Sequence, residues 1–248
     1  MDYKIISLPI AESVGDLSQM TYVRNIGQGY TRNKYTRNNY IWYIDGPEKN
    51  IIVDTAGKAE ALEKHNYPSK QINKPEEALE KVFLEPEDVD VVILTQAHFD
   101  HLQYAKKFPN AEFIIQEDEL RTAKNPHPVF ASIYEPIQPV LDEINFSVVE
   151  GNKEIVEGVS VMKSPGHTEG GQSVIVETEK GDAIITGLCV IDENFYPPEE
   201  VQQFLPVVPP AIHIDLKQAY DSMIEIKEKA DIIVPLHEHK YTEIERIP

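Results

Sequence analysis

Short apolar runs separated by turn residues recur along the chain and predict a protein built mainly from β-strands. The predicted strands cover residues 3–9, 40–44, 51–56, 91–94, 112–116, 147–151, 159–162, 172–177, 183–185 and 231–236. Helices are predicted at 76–82, 104–108, 117–124 and 215–230, the last from apolar residues at helical spacing. Proline is frequent in 125–139, which predicts an irregular, lid-like connection.

The order of these elements favours one fold class. Helices separate only some of the strands, many neighbouring strands have the spacing of hairpins, and no linker or repeat divides the chain. An α/β (α+β) protein in which helices cover a two-sheet sandwich fits this order better than a doubly wound parallel sheet. We expect a single domain covering residues 1–248.

Composition narrows the classes of partner. With 41% hydrophobic and 26% charged residues the chain has the make-up of a globular enzyme, and it has no apolar run of membrane-spanning length. A formal net charge of −19 argues against nucleic acid or an anionic membrane as a partner. The single cysteine excludes an internal disulfide framework and fits a reducing compartment. We therefore expect a cytoplasmic protein without a nucleic-acid or membrane partner.

One segment departs from the acidic composition. Residues 24–39 contain four basic side chains and no acid. Two interpretations remain open: a solvated loop that balances neighbouring acids, or a surface that contacts an anionic group of a substrate or of a partner subunit.

The residues after the apolar run 91–94 carry the clearest sign of chemistry. His98, Asp100 and His101 fall within four positions of the segment 96–103. Alternate residues of a strand face opposite sides, so a turn is needed to bring both imidazoles together. A turn that gathers His, Asp and His suits a cation. The alternative is a polar loop with two incidental histidines.

Two later histidines, His167 and His237, also follow predicted strands. Imidazole and carboxylate ligands suit Zn(II) or a similar divalent ion, which lowers the pKa of bound water and polarises a carbonyl. Asp54 ends the predicted strand 51–56. It either caps the next segment or orients a metal-ligating histidine, and both possibilities stay open.

These motifs resemble those of the metallo-β-lactamase superfamily and, within it, the N-acyl homoserine lactone lactonases. The matching positions are 53–55, 90–101, 164–168 and 236–238. The resemblance implies a four-layer αββα sandwich with metal ions at one end of the two sheets. It assigns His98 and His167 to a first metal position. It assigns Asp100, His101 and His237 to a second.

Two positions depart from the family pattern. Gln96 stands where the first ligand is usually histidine, and an amide oxygen is a weaker donor than imidazole. Leu188 stands where a bridging aspartate is usual, and leucine cannot ligate. The adjacent Cys189 is either a substitute ligand or a small buried side chain. We expect one well-held Zn ion, bound by the second group with Cys189 or water, and another at lower occupancy; Mn or Fe is possible in place of Zn.

The resemblance implies a metal-dependent hydrolase that acts on a small-molecule substrate and opens a lactone or related ester by attack of metal-bound hydroxide. Asp100 would ligate the metal and shuttle a proton to the leaving oxygen. The substrate-binding residues are not identified, since Tyr196 comes too late to match a tyrosine that the lactonases share. Alternatives are hydrolysis of an amide, thioester or phosphoester, or a binding protein whose metal site has decayed. The family also implies a possible homodimer, with contacts in 24–39.

Overall fold

Two β-sheets lie face to face in the computed structural model, which describes residues 3–21, 34–243 and 246–248. The described strands are β1 (Lys4–Asp16), β2 (Lys34–Asp45), β3 (Ile51–Val53), β4 (Ser69–Gln71), β5 (Val91–Ile93), β6 (Glu112–Gln116), β7 (Phe146–Val149), β8 (Lys153–Val156), β9 (Val159–Lys163), β10 (Gln172–Thr178), β11 (Gly181–Ile185), β12 (Ile232–Val234) and β13 (Arg246–Ile247). The first sheet has the order β13-β1-β2-β3-β5-β6-β7, with β4 paired to β1, and the second has the order β12-β11-β10-β9-β8.

Helices connect and cover these sheets. The described α-helices are α1 (Ala59–Lys64), α2 (Pro75–Glu80), α3 (Phe99–Leu102), α4 (Glu117–Lys124), α5 (Ala131–Tyr134), α6 (Gln138–Leu141), α7 (Asp192–Phe195), α8 (Glu199–Gln202) and α9 (Leu216–Lys229). The long α9 begins after Asp215, whose carboxylate accepts hydrogen bonds from the backbone N–H groups of Lys217 and Gln218. Within the described ranges, no helix is long and apolar enough to cross a membrane.

The apolar pattern of the strands produces four layers. Neighbouring residues of a strand face opposite sides of the sheet. In β5, Val91 and Ile93 therefore pack between the two sheets, while Val92 packs under α1 and α2. In the second sheet, Ile184 packs against α9 on the outer face. The predicted αββα sandwich is confirmed, and the single domain over 1–248 stays a prediction.

The strand pairing is mixed, and its parallel part positions the chemistry. Strands β3, β5, β6 and β7 run parallel to one another, as do β11 and β12. The carboxyl ends of β3 and β5 therefore meet at one edge of the first sheet, with Val53 paired to Ile93. The residues that follow these two strands, Asp54 and the segment 96–103, are brought together there.

Several predicted elements were wrong in extent or type. The opening strand continues to Asp16, because β1 pairs with β2 along almost its whole length, and residues 34–39 of the predicted basic loop belong to β2. Residues 24–33 lie outside the described residues. The segment 125–139 is not irregular throughout: it holds α5, a 3-10 turn at Glu135–Ile137 and the start of α6. Pro136 in the 3-10 turn and Pro139 in α6 occupy first-turn positions that tolerate proline. At 104–108 only a 3-10 turn forms, Ala105–Lys107, and both α1 and β8 were missed.

Candidate metal centre

Asp54 links the end of β3 to the loop after β5. One carboxylate oxygen accepts a hydrogen bond from the Thr95 N–H at 2.8 Å, and the other lies 2.7 Å from both Thr95 Oγ1 and His101 Nδ1. Asp54 adopts a left-handed backbone conformation (φ 58°), which is costly for most residues and tends to be retained at functional sites. Its contacts favour the orienting interpretation over the capping one, since Lys58 occupies the N-cap of α1.

Asp100, His101 and His237 form a compact buried group. One potential ligand atom from each of these residues lies within 4.8 Å of the others. His237 Nδ1 donates to the backbone carbonyl of Asn38 at 3.0 Å, and its Nε2 is buried without a hydrogen-bond partner among the described residues. Asn39 donates its amide to the Asp100 carboxylate at 3.2 Å. The ring of His237 is thus fixed from one side and presents its second nitrogen for ligation.

Gln96, His98 and His167 form a neighbouring group. His167 Nδ1 donates to the carbonyl of Ile212 at 2.7 Å, which leaves a buried Nε2 with no partner in the described structure. The rings of His98 and His167 meet edge to face at 4.9 Å. The Gln96 amide nitrogen lies 2.7 Å from His101 Nε2, so Gln96 connects the two groups.

Unpartnered atoms test whether a metal ion fits. His167 Nε2, His237 Nε2 and Gln96 Oε1 are all buried and lack partners among the described residues. Each such atom costs about 1–3 kcal/mol unless something binds it. Because imidazole nitrogens and an amide oxygen are all electron-pair donors at one place, a cation satisfies them together. The donor set fits a divalent metal ion.

Burial keeps three of the histidines neutral. It lowers the pKa of His98 well below its usual value, that of His167 to about 4 and that of His237 to about 3. An imidazole must be neutral to bind a metal ion. These three side chains are therefore in the ligating form at neutral pH.

The pKa values of Asp100 and His101 are shifted in opposite directions. Burial opposes ionisation of Asp100, but electrostatic interactions with the neighbouring His101, His237 and Arg37 side chains hold the pKa of this carboxyl below its usual range. Burial likewise opposes a charged His101, but the carboxylates of Asp100 and Asp54 together raise the pKa of this imidazole. The centre therefore contains a carboxylate that stays ionised and one histidine whose affinity for a proton is increased by the neighbouring carboxylates.

Glu119 supports the first group and was missed by the sequence analysis. It is fully buried on α4, and its two carboxylate oxygens accept from the backbone N–H groups of Ala97 at 2.8 Å and Gly170 at 3.1 Å. These bonds tie the loop before His98 to the loop after His167. A Cβ at Gly170 would lie 2.2 Å from the Glu119 nitrogen, so this approach requires glycine. The available signal was the position of Glu119 on the same helix face as Ala123.

Leu188 and Cys189, at the expected bridging position, lie in different surroundings. Leu188 is fully buried in the apolar cluster under α9. The Cys189 thiol lies beside the cavity, with Sγ 3.9 Å from an Nη atom of Arg37, and packs among Leu17, Met20 and Ile191. Burial raises the pKa of Cys189 to about 11, so the thiol is protonated without a metal. It is not part of the compact group of Asp100, and a ligand role for Cys189 stays a prediction.

A cavity of about 200 Å³ opens beside both donor groups. Its lining contains Gln96, His98, Asp100, His167 and Cys189, together with Arg37, His65, Tyr67, Phe99, Ile133 and Ile212. Tyr196 is 54% exposed and stacks under Lys227 instead. His239 binds the Asn38 side chain at 2.7 Å and lies outside the group of three donors.

Known proteins with sequences similar to this chain include N-acyl homoserine lactonases. An N-acyl homoserine lactonase of a Bacillus sp is 33% identical over 117 residues, 47% of this chain and 43% of that protein. The N-acyl homoserine lactonase of Bacillus cereus is 29% identical over 168 residues, 63% of this chain and 64% of that protein. The chain therefore spans about half the length of the curated lactonases that it matches.

Solved structures share the fold along the whole chain. A quorum-quenching N-acyl homoserine lactone lactonase superposes with a TM-score of 0.76 at 22% identity and covers 100% of this chain and 99% of its own. A dizinc quorum-quenching lactonase superposes with a TM-score of 0.70 at 18% identity and covers 96% of this chain and 87% of its own. The family model of the metallo-beta-lactamase superfamily matches residues 35–237, which include both donor groups. The chain belongs to the metallo-beta-lactamase superfamily.

Proposed function

We propose that the protein is a metal-dependent hydrolase that opens a lactone or a related ester bond of a small molecule. The observation that carries this proposal is the buried group of Asp100, His101 and His237, whose ligand atoms lie within 4.8 Å of one another. The similarity to N-acyl homoserine lactonases supports the bond type. The compact donor group speaks against the alternative of a decayed metal site.

In this proposal Asp100, His101 and His237 hold the tighter ion, and Gln96 and the two remaining histidines hold a weaker one. The resemblance to a dizinc lactonase supports zinc, with manganese or iron as possible replacements. A divalent ion there lowers the pKa of water and polarises a substrate carbonyl.

The protein's own side chains orient the metal ligands and limit the access of water to the site. Asp54 keeps the His101 ring turned so that Nε2 faces the site, 2.7 Å from the Gln96 amide. Among the described residues that line the cavity, Asp100 carries the only carboxylate, so we assign it the transfer of a proton from water to the leaving oxygen. The aromatic and aliphatic lining from Phe99 and Ile133 limits the water that reaches the carbonyl.

A substrate panel with a ligand variant tests the proposal. Zinc-loaded protein should hydrolyse members of a set of lactones and esters, and Asp100→Ala should lower kcat/KM by roughly a hundred- to a thousandfold and reduce bound zinc. Asp90→Ala is the matched control, because Asp90 is an exposed carboxylate at the start of β5. Fully loaded protein that cleaves only an amide, thioester or phosphoester would contradict the proposed bond type. Hydrolysis that survives Asp100→Ala would contradict the proposed site.

A homodimer and a cytoplasmic location also stay predictions. The segment 24–39, where subunit contacts are expected, is described only for residues 34–39, which lie in β2. Size-exclusion chromatography with light scattering measures the first prediction directly.

A further inference from the structure

Arg37 is a buried cation beside the metal centre. It is 5% exposed, lies on β2 and lines the same cavity as His98 and Asp100. Its Nε donates to Ser13 Oγ at 3.0 Å, and its guanidinium carbon lies 4.2 Å from the centre of the Tyr67 ring. These contacts fix the plane of the guanidinium at the wall of the cavity.

The charge of Arg37 is not neutralised by an ion pair in the part of the chain that the structure describes. No Asp or Glu oxygen there lies within 4.0 Å of its guanidinium nitrogens. A buried charge is costly unless it is paired, and a guanidinium pairs best with a carboxylate through two parallel hydrogen bonds. A fixed and largely unpaired guanidinium at a cavity wall is therefore a binding group for an anion.

The charge balance of the centre strengthens this conclusion. Leu188 supplies no carboxylate at the expected bridging position, so Asp100 is the only carboxylate that the cavity lining offers among the described residues. A divalent ion together with Arg37 then leaves excess positive charge in a buried site. An incoming anion, or a group that becomes anionic during the reaction, restores the balance.

Ester hydrolysis produces such a group. Water adds its oxygen to the carbonyl carbon, the carbon–oxygen bond to the alcohol breaks, one proton goes to the leaving oxygen and the other goes to solvent. The neutral carbonyl thus becomes an oxyanion and then a carboxylate. We propose that Arg37 is the anion-binding residue of this site, which pairs with that oxyanion and with the released carboxylate. The inference rests on the proposed function for the identity of the anion.

Binding of a product-like acid tests the role of Arg37 without turnover. Calorimetry should compare 4-hydroxybutyrate with its neutral amide, using zinc-loaded wild type, Arg37→Met and Arg37→Lys. We expect Arg37→Met to weaken binding of the acid by roughly ten- to a hundredfold and to leave the amide unaffected. Arg37→Lys should fall between, because it keeps the charge and loses the planar fork. Arg246→Met, at an exposed arginine of β13, is the matched control.

Zinc content must be measured in every sample, because a carboxylate also binds a metal ion directly. Acid binding by fully loaded Arg37→Met that equals the wild type would overturn the inference. If Arg37→Met fails to fold, Arg37→Gln decides, since it also removes the charge and acid binding equal to the wild type would likewise overturn the inference. If acid binding depends on Arg37 but no lactone or ester is hydrolysed, the anion site stands and the proposed function fails. If lactones are hydrolysed and kcat/KM is unchanged in Arg37→Met, the proposed function stands and this inference fails.

Discussion

The two donor groups of the metal centre lie side by side but differ in charge and in support. The group of Asp100, His101 and His237 contains an ionised carboxylate, and a second carboxylate, that of Asp54, holds one of its histidines at 2.7 Å. The group that contains Gln96 has only neutral donors. Its one ligand-orienting bond among the described residues runs from His167 Nδ1 to a backbone carbonyl, and the Glu119 carboxylate binds backbone N–H groups of the adjoining loops instead of a ligand side chain. A cation gains more where it meets negative charge and oriented ligands. The two groups therefore differ in their expected affinity for a cation as much through the residues that contact the ligands as through the ligands themselves.

Among the substitutions that test this comparison of the two donor groups, Asp54→Asn should have the largest effect on zinc affinity. The amide keeps the shape of the side chain but removes the charge that orients His101, so zinc affinity should fall roughly ten- to a hundredfold. Competition with a chromophoric chelator measures this change. Asp90→Asn is the control, because it alters an exposed carboxylate that accepts a hydrogen bond from the Asn50 N–H at 2.9 Å and lies outside both donor groups. Equal zinc affinity in Asp54→Asn and the wild type would show that Asp54 does not support the metal.

The substitution Gln96→His would reduce the difference in zinc affinity between the two donor groups by strengthening the weaker one. Imidazole is a stronger zinc donor than an amide, so the variant should tighten the weaker ion by about tenfold and raise bound zinc from about one to about two equivalents at limiting free zinc. Elemental analysis after dialysis against a zinc buffer measures the count. The control, Gln203→His, adds a histidine at an exposed position away from the cavity. Two equivalents in the wild type would contradict the expected inequality of the groups.

The smallest expected effect is a pH dependence of zinc affinity that arises in the group of Asp100, His101 and His237. The pKa of His101 is raised above its ordinary value of 6.5, so below that raised pKa zinc must displace a proton from this ring. Apparent zinc affinity should therefore rise by up to about tenfold per pH unit, continue rising past pH 6.5, and level off above the pKa. His167 and His237 do not contribute to this rise in zinc affinity, because their pKa values of about 4 and about 3 leave both imidazoles neutral in this pH range. In Asp54→Asn the levelling should occur at a lower pH. Calorimetric zinc titrations in several buffers measure the proton release, and identical profiles in both proteins would contradict this assignment.

Much of the fold and half of the centre follow from short-range features of the sequence. Consecutive apolar residues, as in Val91, Val92 and Ile93, specify a strand buried on both faces, because each face meets its own apolar layer. The helix at α4 was predicted with its observed bounds. His98, Asp100 and His101 stand so close in the chain that a single turn brings them together, and the predicted places of His167 and His237 at strand ends agree with the structure.

The supporting residues were decided by tertiary structure alone. Asn39 meets Asp100 from 61 positions away, and Asn38 meets His237 from 199 positions away, so no local pattern marks either asparagine. Arg37 looked like part of a basic loop, but the pairing of β1 with β2 sets it opposite Ser13 and turns it into the cavity wall. The sequence by itself determined which residues carry donor chemistry and which segments must be buried. Only strand pairing and the packing of the two sheets decided which donors are oriented and which charges are left unpaired, because those properties depend on groups that meet across the fold.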